Sequence, residues 1–114
     1  VNILIQFENG SSGVVAYYAN GCKSMTKEYI EVFSNGKSAI LKDFKELEVF
    51  SNNRSKKIKL INQNKGQKEM VNEFLNSLLN NTNPPIPFHE IVSVTKASFK
   101  VLESIKNGGK QIQL

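Results

Sequence analysis

Asn35-Gly36, set between the runs Glu28–Ser34 and Lys37–Asp43, constrains this chain more than any other pair of residues. A two-residue type I′ turn needs positive φ at both central positions, and Asn-Gly supplies it at the least steric cost. The stretch IEVFSNGKSAILKD therefore reads as a hairpin corner. A phosphate-cradling loop would carry more glycines and lead into a helix, whereas here a strand follows.

The hairpin sets the pattern for the first two-thirds of the chain. In NILIQFE, Ile3, Ile5 and Phe7 share one face, and Leu4, Gln6 and Glu8 the other. NGSSG follows as a turn, and then GVVAYYA, apolar on both faces. A strand of that kind is expected at the centre of a sheet, covered on both sides. FKELEVF and KKIKLIN read as two further strands joined by the polar turn SNNRS. Six strands in sequence predict an open, mostly antiparallel meander.

The period changes after NQNKG. Met70, Val71, Phe74, Leu75, Leu78 and Leu79 form one helical stripe, which Pro84 and Pro85 must end. A second helix is predicted from about His89 to Lys106, with Ile91, Val94, Val101, Leu102 and Ile105 on its stripe and Asn107-Gly108-Gly109 as its stop. The expected fold class is α+β: a sheet of about six strands with the two C-terminal helices packed on one face, in a single domain over residues 1–114.

Several function classes fall away on composition. Of the 114 residues one is cysteine and one histidine, so neither an internal disulfide nor a zinc constellation can form. No apolar run is long enough to cross a membrane as a helix. VNILIQFENG lacks the basic start and small-residue cleavage site of a signal peptide, and a cytoplasmic setting is expected. A chain that opens within a strand and without Met is expected to be a piece of a longer protein. The net charge is +5, but Arg54 is the only arginine and the lysines are scattered. Arginine is the usual residue for bidentate phosphate and guanine contacts, so nucleic acid is not an expected partner. NGSSG has a Gly-x-x-Gly spacing, but the KH loop it suggests needs flanking helices.

Chemistry-bearing residues are sparse. His89 reads as a surface residue at a helix start, and Cys22 as an ordinary thiol. Glu46 and Glu48 alternate with apolar residues and read as the wet face of a strand. The connection ANGCKSMTKE, Ala19–Glu28, carries Asn20, Lys23, Ser24, Thr26 and Lys27. It reads either as a loop able to hydrogen-bond a polar substrate or as an ordinary solvated link. No catalytic constellation emerges from the residues.

The order of motifs adds a resemblance. VVAYYANGCKSMTKEYIEVFSNGKSAILKDFKELEVF, then NKGQKEMVNEFLNSL, then PPIPFHEIVSVTKASFKVLESIKNG, resembles the C-terminal part of the Gfo/Idh/MocA oxidoreductases. It looks closest to members fused behind a zinc-type alcohol dehydrogenase-like region. The likeness runs from about residue 3 to residue 109. It implies a parent with an N-terminal Rossmann domain that binds NAD or NADP and transfers hydride to or from a sugar or polyol hydroxyl. It also implies that the open sheet face meets a second subunit, giving a homo-oligomer, and that Asn20, Lys23 and Lys27 hydrogen-bond the substrate. The family's Gly-x-Gly-x-x-Gly, its Glu-Lys-Pro lysine and its paired Asp and His are absent. On this resemblance the chain holds no catalytic residue, cofactor site or metal site of its own. A non-enzymatic interaction or assembly domain is the alternative.

Overall fold

The computed structural model describes residues 1–114. Six strands precede two helices: β1 Asn2–Gln6, β2 Ser12–Ala16, β3 Tyr29–Ser34, β4 Lys37–Lys42, β5 Glu46–Ser51, β6 Arg54–Lys59, α1 Gln67–Leu79 and α2 Phe88–Lys106. The α+β class, the antiparallel pairing and the C-terminal helices are as the sequence pattern predicts. The single sheet is not. The strands form a two-stranded sheet, β1-β2, and a four-stranded sheet in the order β3-β4-β5-β6.

The chain divides into two compact units, Val1–Tyr18 with Lys68–Leu114, and Ala19–Gln67. In the first, the β1–β2 hairpin pairs Asn2 with Ala16 and Gln6 with Ser12. Its turn is held by Asn9 Oδ1, which accepts from the Ser11 amide at 3.0 Å, and by Gly10 at φ 83°. The Tyr18 hydroxyl donates to Asn2 Oδ1 at 2.8 Å across the hairpin's open end. Because β2 has β1 as its only neighbour, it is not the central strand its doubly apolar sequence predicts; Val14 is 72% exposed. Helix α2 begins at Phe88, directly after its N-cap Pro87, where proline's missing N–H forfeits no bond because the first amides of a helix have no partner within it. It ends where Gly108 and Gly109 take positive φ and their amides donate to the Ile105 and Ser104 carbonyls. This is the glycine stop that the Asn-Gly-Gly signal predicts.

The second unit is built from hairpins whose corners all use left-handed residues. Asn35 and Gly36 have φ 47° and 68°, the I′ geometry that their sequence demands. Asn52 and Asn53, at φ 49° and 57°, do the same between β5 and β6. Between β4 and β5 the left-handed pair is Asp43 and Phe44, at φ 52° and 50°. A phenylalanine there costs on the order of 1 kcal/mol or more, so its surroundings must hold it.

Residues opposite one another in an antiparallel ladder point to the same face. The register Ile30↔Leu41, Leu41↔Leu47, Leu47↔Ile58 therefore makes one apolar row across all four strands. Val32, Ala39 and Val49 make a second row on that face, which Lys56 of β6 completes. The opposite face carries Glu31, Ile40, Glu48 and Lys57 in one row, and Lys42, Glu46 and Lys59 in another. Glu46 binds Lys57 at 2.8 Å and lies 3.9 Å from Lys59.

No apolar side chain in the chain is buried; Ser77 alone falls in the buried class. The helix stripes are thus not buried on a sheet as expected: Phe74, Leu75 and Leu102 stand about half exposed.

Candidate functional site

The longest-range polar contacts of the second unit converge at one corner, where the segment leading into β3 meets the β4–β5 turn and the segment after β6. The pairing of β3 with β4 extends one step beyond the strands, since the Asp43 amide donates to the Glu28 carbonyl at 2.7 Å. That fixes Glu28 beside the Asp43-Phe44 turn. From the other side the Leu60 amide donates to the Lys45 carbonyl at 2.8 Å, and the Asn64 amide to the Phe44 carbonyl at 3.1 Å. Gln63 Nε2 donates to both the carbonyl and Oδ1 of Asp43, each at 2.9 Å. Lys65 Nζ pairs with Glu28 Oε1 and stands 5.8 Å from the centroid of the Phe44 ring. These bonds pin the strained Phe44 backbone.

A shallow depression of about 390 Å³ opens on this corner, lined by Ser24 to Glu28 together with Asp43, Gln63 and Lys65. Lys27 of the three sequence candidates is part of the lining. Asn20 and Lys23 lie earlier on the same connection and outside it. Glu28 closes the Ala19–Glu28 connection that the sequence marks, whereas Asp43, Gln63 and Lys65 carry no such signal. The four are separated by up to 37 residues, and no local motif links them.

The lining holds two cations, Lys27 and Lys65, and two carboxylates, Glu28 and Asp43. Their charges cancel. Ser24, Thr26 and Gln63 add neutral donors and acceptors, a set suited to a hydroxyl-rich ligand rather than an anion. Glu28 Oε2 is shut off from solvent with no hydrogen-bond partner, a free acceptor at a corner otherwise well satisfied. The hydrogen bond from Lys65 holds the Glu28 carboxyl below its ordinary value. Cys22, exposed on the same connection, shares a 3.0 Å hydrogen bond with Ser24, which holds its thiol below the ordinary value. His89 lies on the first turn of α2, in the other unit. No group of metal-ligating side chains is present, and no helix is long and apolar enough to cross a membrane.

The ion pairs make stability depend on acid. Lys65 lowers the Glu28 carboxyl and Lys57 lowers that of Glu46, both from 4.5. Each contribution is complete above the unfolded carboxylate value and is lost as pH falls through the lower folded-state value. Acid titration by circular dichroism should show a small loss of strand signal below the usual carboxylate range. In Glu46→Gln the part of that loss due to the β5–β6 pair should vanish, and unchanged acid sensitivity would contradict the assignment.

Compared with protein-family models, curated proteins and solved structures, the chain matches none.

Proposed function

We propose that the chain is the C-terminal domain of an NAD(P)-dependent oxidoreductase of the Gfo/Idh/MocA type, acting on a sugar or polyol hydroxyl. In this reading it supports the substrate site and subunit association and catalyses nothing alone. The nicotinamide sits on the parent's Rossmann domain, in a cytoplasmic enzyme. The association half rests on one observation: an apolar sheet face and two helix stripes with no apolar side chain buried. Exposed apolar surface on that scale marks a surface that other polypeptide covers. The oxidoreductase half is supported by the order of the motifs from Asn20-Gly21 to Asn107-Gly108. The charge-balanced corner at Lys27 and Glu28 suits the hydroxyl-rich substrate class. The same open face also favours the second reading, a non-enzymatic assembly domain.

The test is to express this chain with the coding sequence that precedes it and to titrate nicotinamide cofactor by fluorescence. The joined protein should bind NAD(H) or NADP(H) and reduce the cofactor with a polyol, and this chain alone should bind none. Lys27→Ala in the joined protein should raise KM for the polyol several-fold and leave the cofactor KM unchanged. A joined protein with no nicotinamide binding would end the enzyme reading and leave the assembly domain.

A further inference from the structure

The two edges of the four-stranded sheet are treated differently by the sequence. β6 carries Arg54, Lys56, Lys57 and Lys59, the lysine-rich composition that keeps an edge from pairing. β3, YIEVFS, has one charge and no proline. Its Tyr29, Val32 and Phe33 are 57, 54 and 73% exposed. An edge left this open is built to pair.

The hydrogen-bond parity of β3 restricts how. The Asp43 amide bonds to the Glu28 carbonyl, and Glu28 stands opposite Asp43 in the register that continues as Ile30↔Leu41 and Val32↔Ala39. Hydrogen-bonded pairs alternate along an antiparallel ladder. Residues 28, 30, 32 and 34 therefore spend their backbone groups on β4, and Tyr29, Glu31 and Phe33 turn theirs outward.

We propose that β3 pairs antiparallel with β3 of a second copy of this chain, about a two-fold axis through Val32, to make a continuous eight-stranded sheet. Only odd residues offer outward groups, so each hydrogen-bonded pair across the seam joins odd to odd. The axis then passes through a residue and stands perpendicular to the sheet, which keeps both apolar faces on one side. An axis through Glu31 would set Glu31 against its own copy, a like-charge pair. An axis through Ile30 or Phe33 would leave fewer residues of the strand paired. The axis through Val32 sets Glu31 opposite the copy's Phe33, Ile30 opposite the copy's Ser34, and Val32 opposite itself. The two apolar faces then join through Ile30 and Val32.

This rests on the subunit-association reading and specifies an edge contact in addition to a facing one. The test replaces Cys22 by serine and places single cysteines on β3. Val32→Cys sits at a non-hydrogen-bonded self pair, where Cα atoms lie about 4.5 Å apart, within disulfide reach. It should give a disulfide-linked pair under mild oxidation. Glu31→Cys, opposite Phe33 rather than itself, should not. Glu31→Pro removes an outward N–H and no bond to β4, so it should halve the mass seen by light scattering while circular dichroism keeps the strand signal. If the wild type self-associates but Val32→Cys forms no linked pair, or Glu31→Pro leaves the mass unchanged, the edge assignment is overturned and facing association stands. A wild type that runs as a single chain at every concentration overturns both.

Discussion

Leu41→Asp should weaken self-association of the chain by about a hundredfold or more, while Ser38→Asp should barely change it. Both positions are on β4, three residues apart, and the register separates them by face. Leu41 sits in the row Ile30–Leu41–Leu47–Ile58, the most apolar line across the sheet. Ser38 lies between Phe33 and Phe50 on the face that also carries Glu46, Glu48, Lys57 and Lys59. A carboxylate introduced at a surface that another polypeptide covers must be desolvated without a partner or must keep the surfaces apart. Either outcome costs several kcal/mol, and about 2.7 kcal/mol is a hundredfold in affinity. The sheet itself loses less, since each cross-strand pair is worth roughly 0.2–1 kcal/mol. Light scattering over a dilution series checks the mass, and circular dichroism checks that the strands persist. Equal effects of the two substitutions would mean that the apolar face is not the covered one.

The contrast between those faces is legible in the residues themselves, because period-two alternation and the Asn-Gly corner fix both register and face. Lys57 and Lys59 on one side, with Ile58 on the other, follow from the same rule. The division into two sheets is not legible there. Short turns announce the β3–β4 and β5–β6 hairpins, but Tyr17 to Glu28 is a long connection, and a turn at its Asn20-Gly21 does not dictate whether β2 pairs with β3. The doubly apolar β2 is a misleading cue for the same reason: apolarity records what eventually covers a strand, and not which segment does so. The corner at Glu28 is hidden for a different reason. Its ion pair joins Glu28 to Lys65, 37 residues apart, and depends on Phe44 adopting a left-handed conformation that phenylalanine does not advertise. Of Asn20, Lys23 and Lys27, the one at the depression is the one nearest the start of β3, where the ladder fixes the backbone.

Thermal unfolding should depend on protein concentration. In a chain with no buried apolar side chain, backbone ladders, corner hydrogen bonds and exposed ion pairs are what hold the fold. Ion pairs of that kind contribute little individually, and backbone hydrogen bonds exchange for bonds to water. On the association reading proposed above, most of the hydrophobic term that normally outweighs chain entropy is gained when the sheet face and the helix stripes are covered. Folding and association are then one equilibrium, and mass action enters the stability directly. A hundredfold rise in concentration adds about 2.7 kcal/mol per mole of a dimer. For an assembly of about 230 residues that raises the midpoint by about 5–10 °C. Scanning calorimetry at both ends of such a series should show the shift, with a broad, weakly cooperative transition at the dilute end. A sharp transition at one temperature throughout would mean that the chain buries its apolar surface without a second copy. Leu41→Asp connects this result to the first: with the facing contact removed, its melting should be broad and should lose most of its dependence on concentration, because on this reading the covered face is where the cooperativity originates.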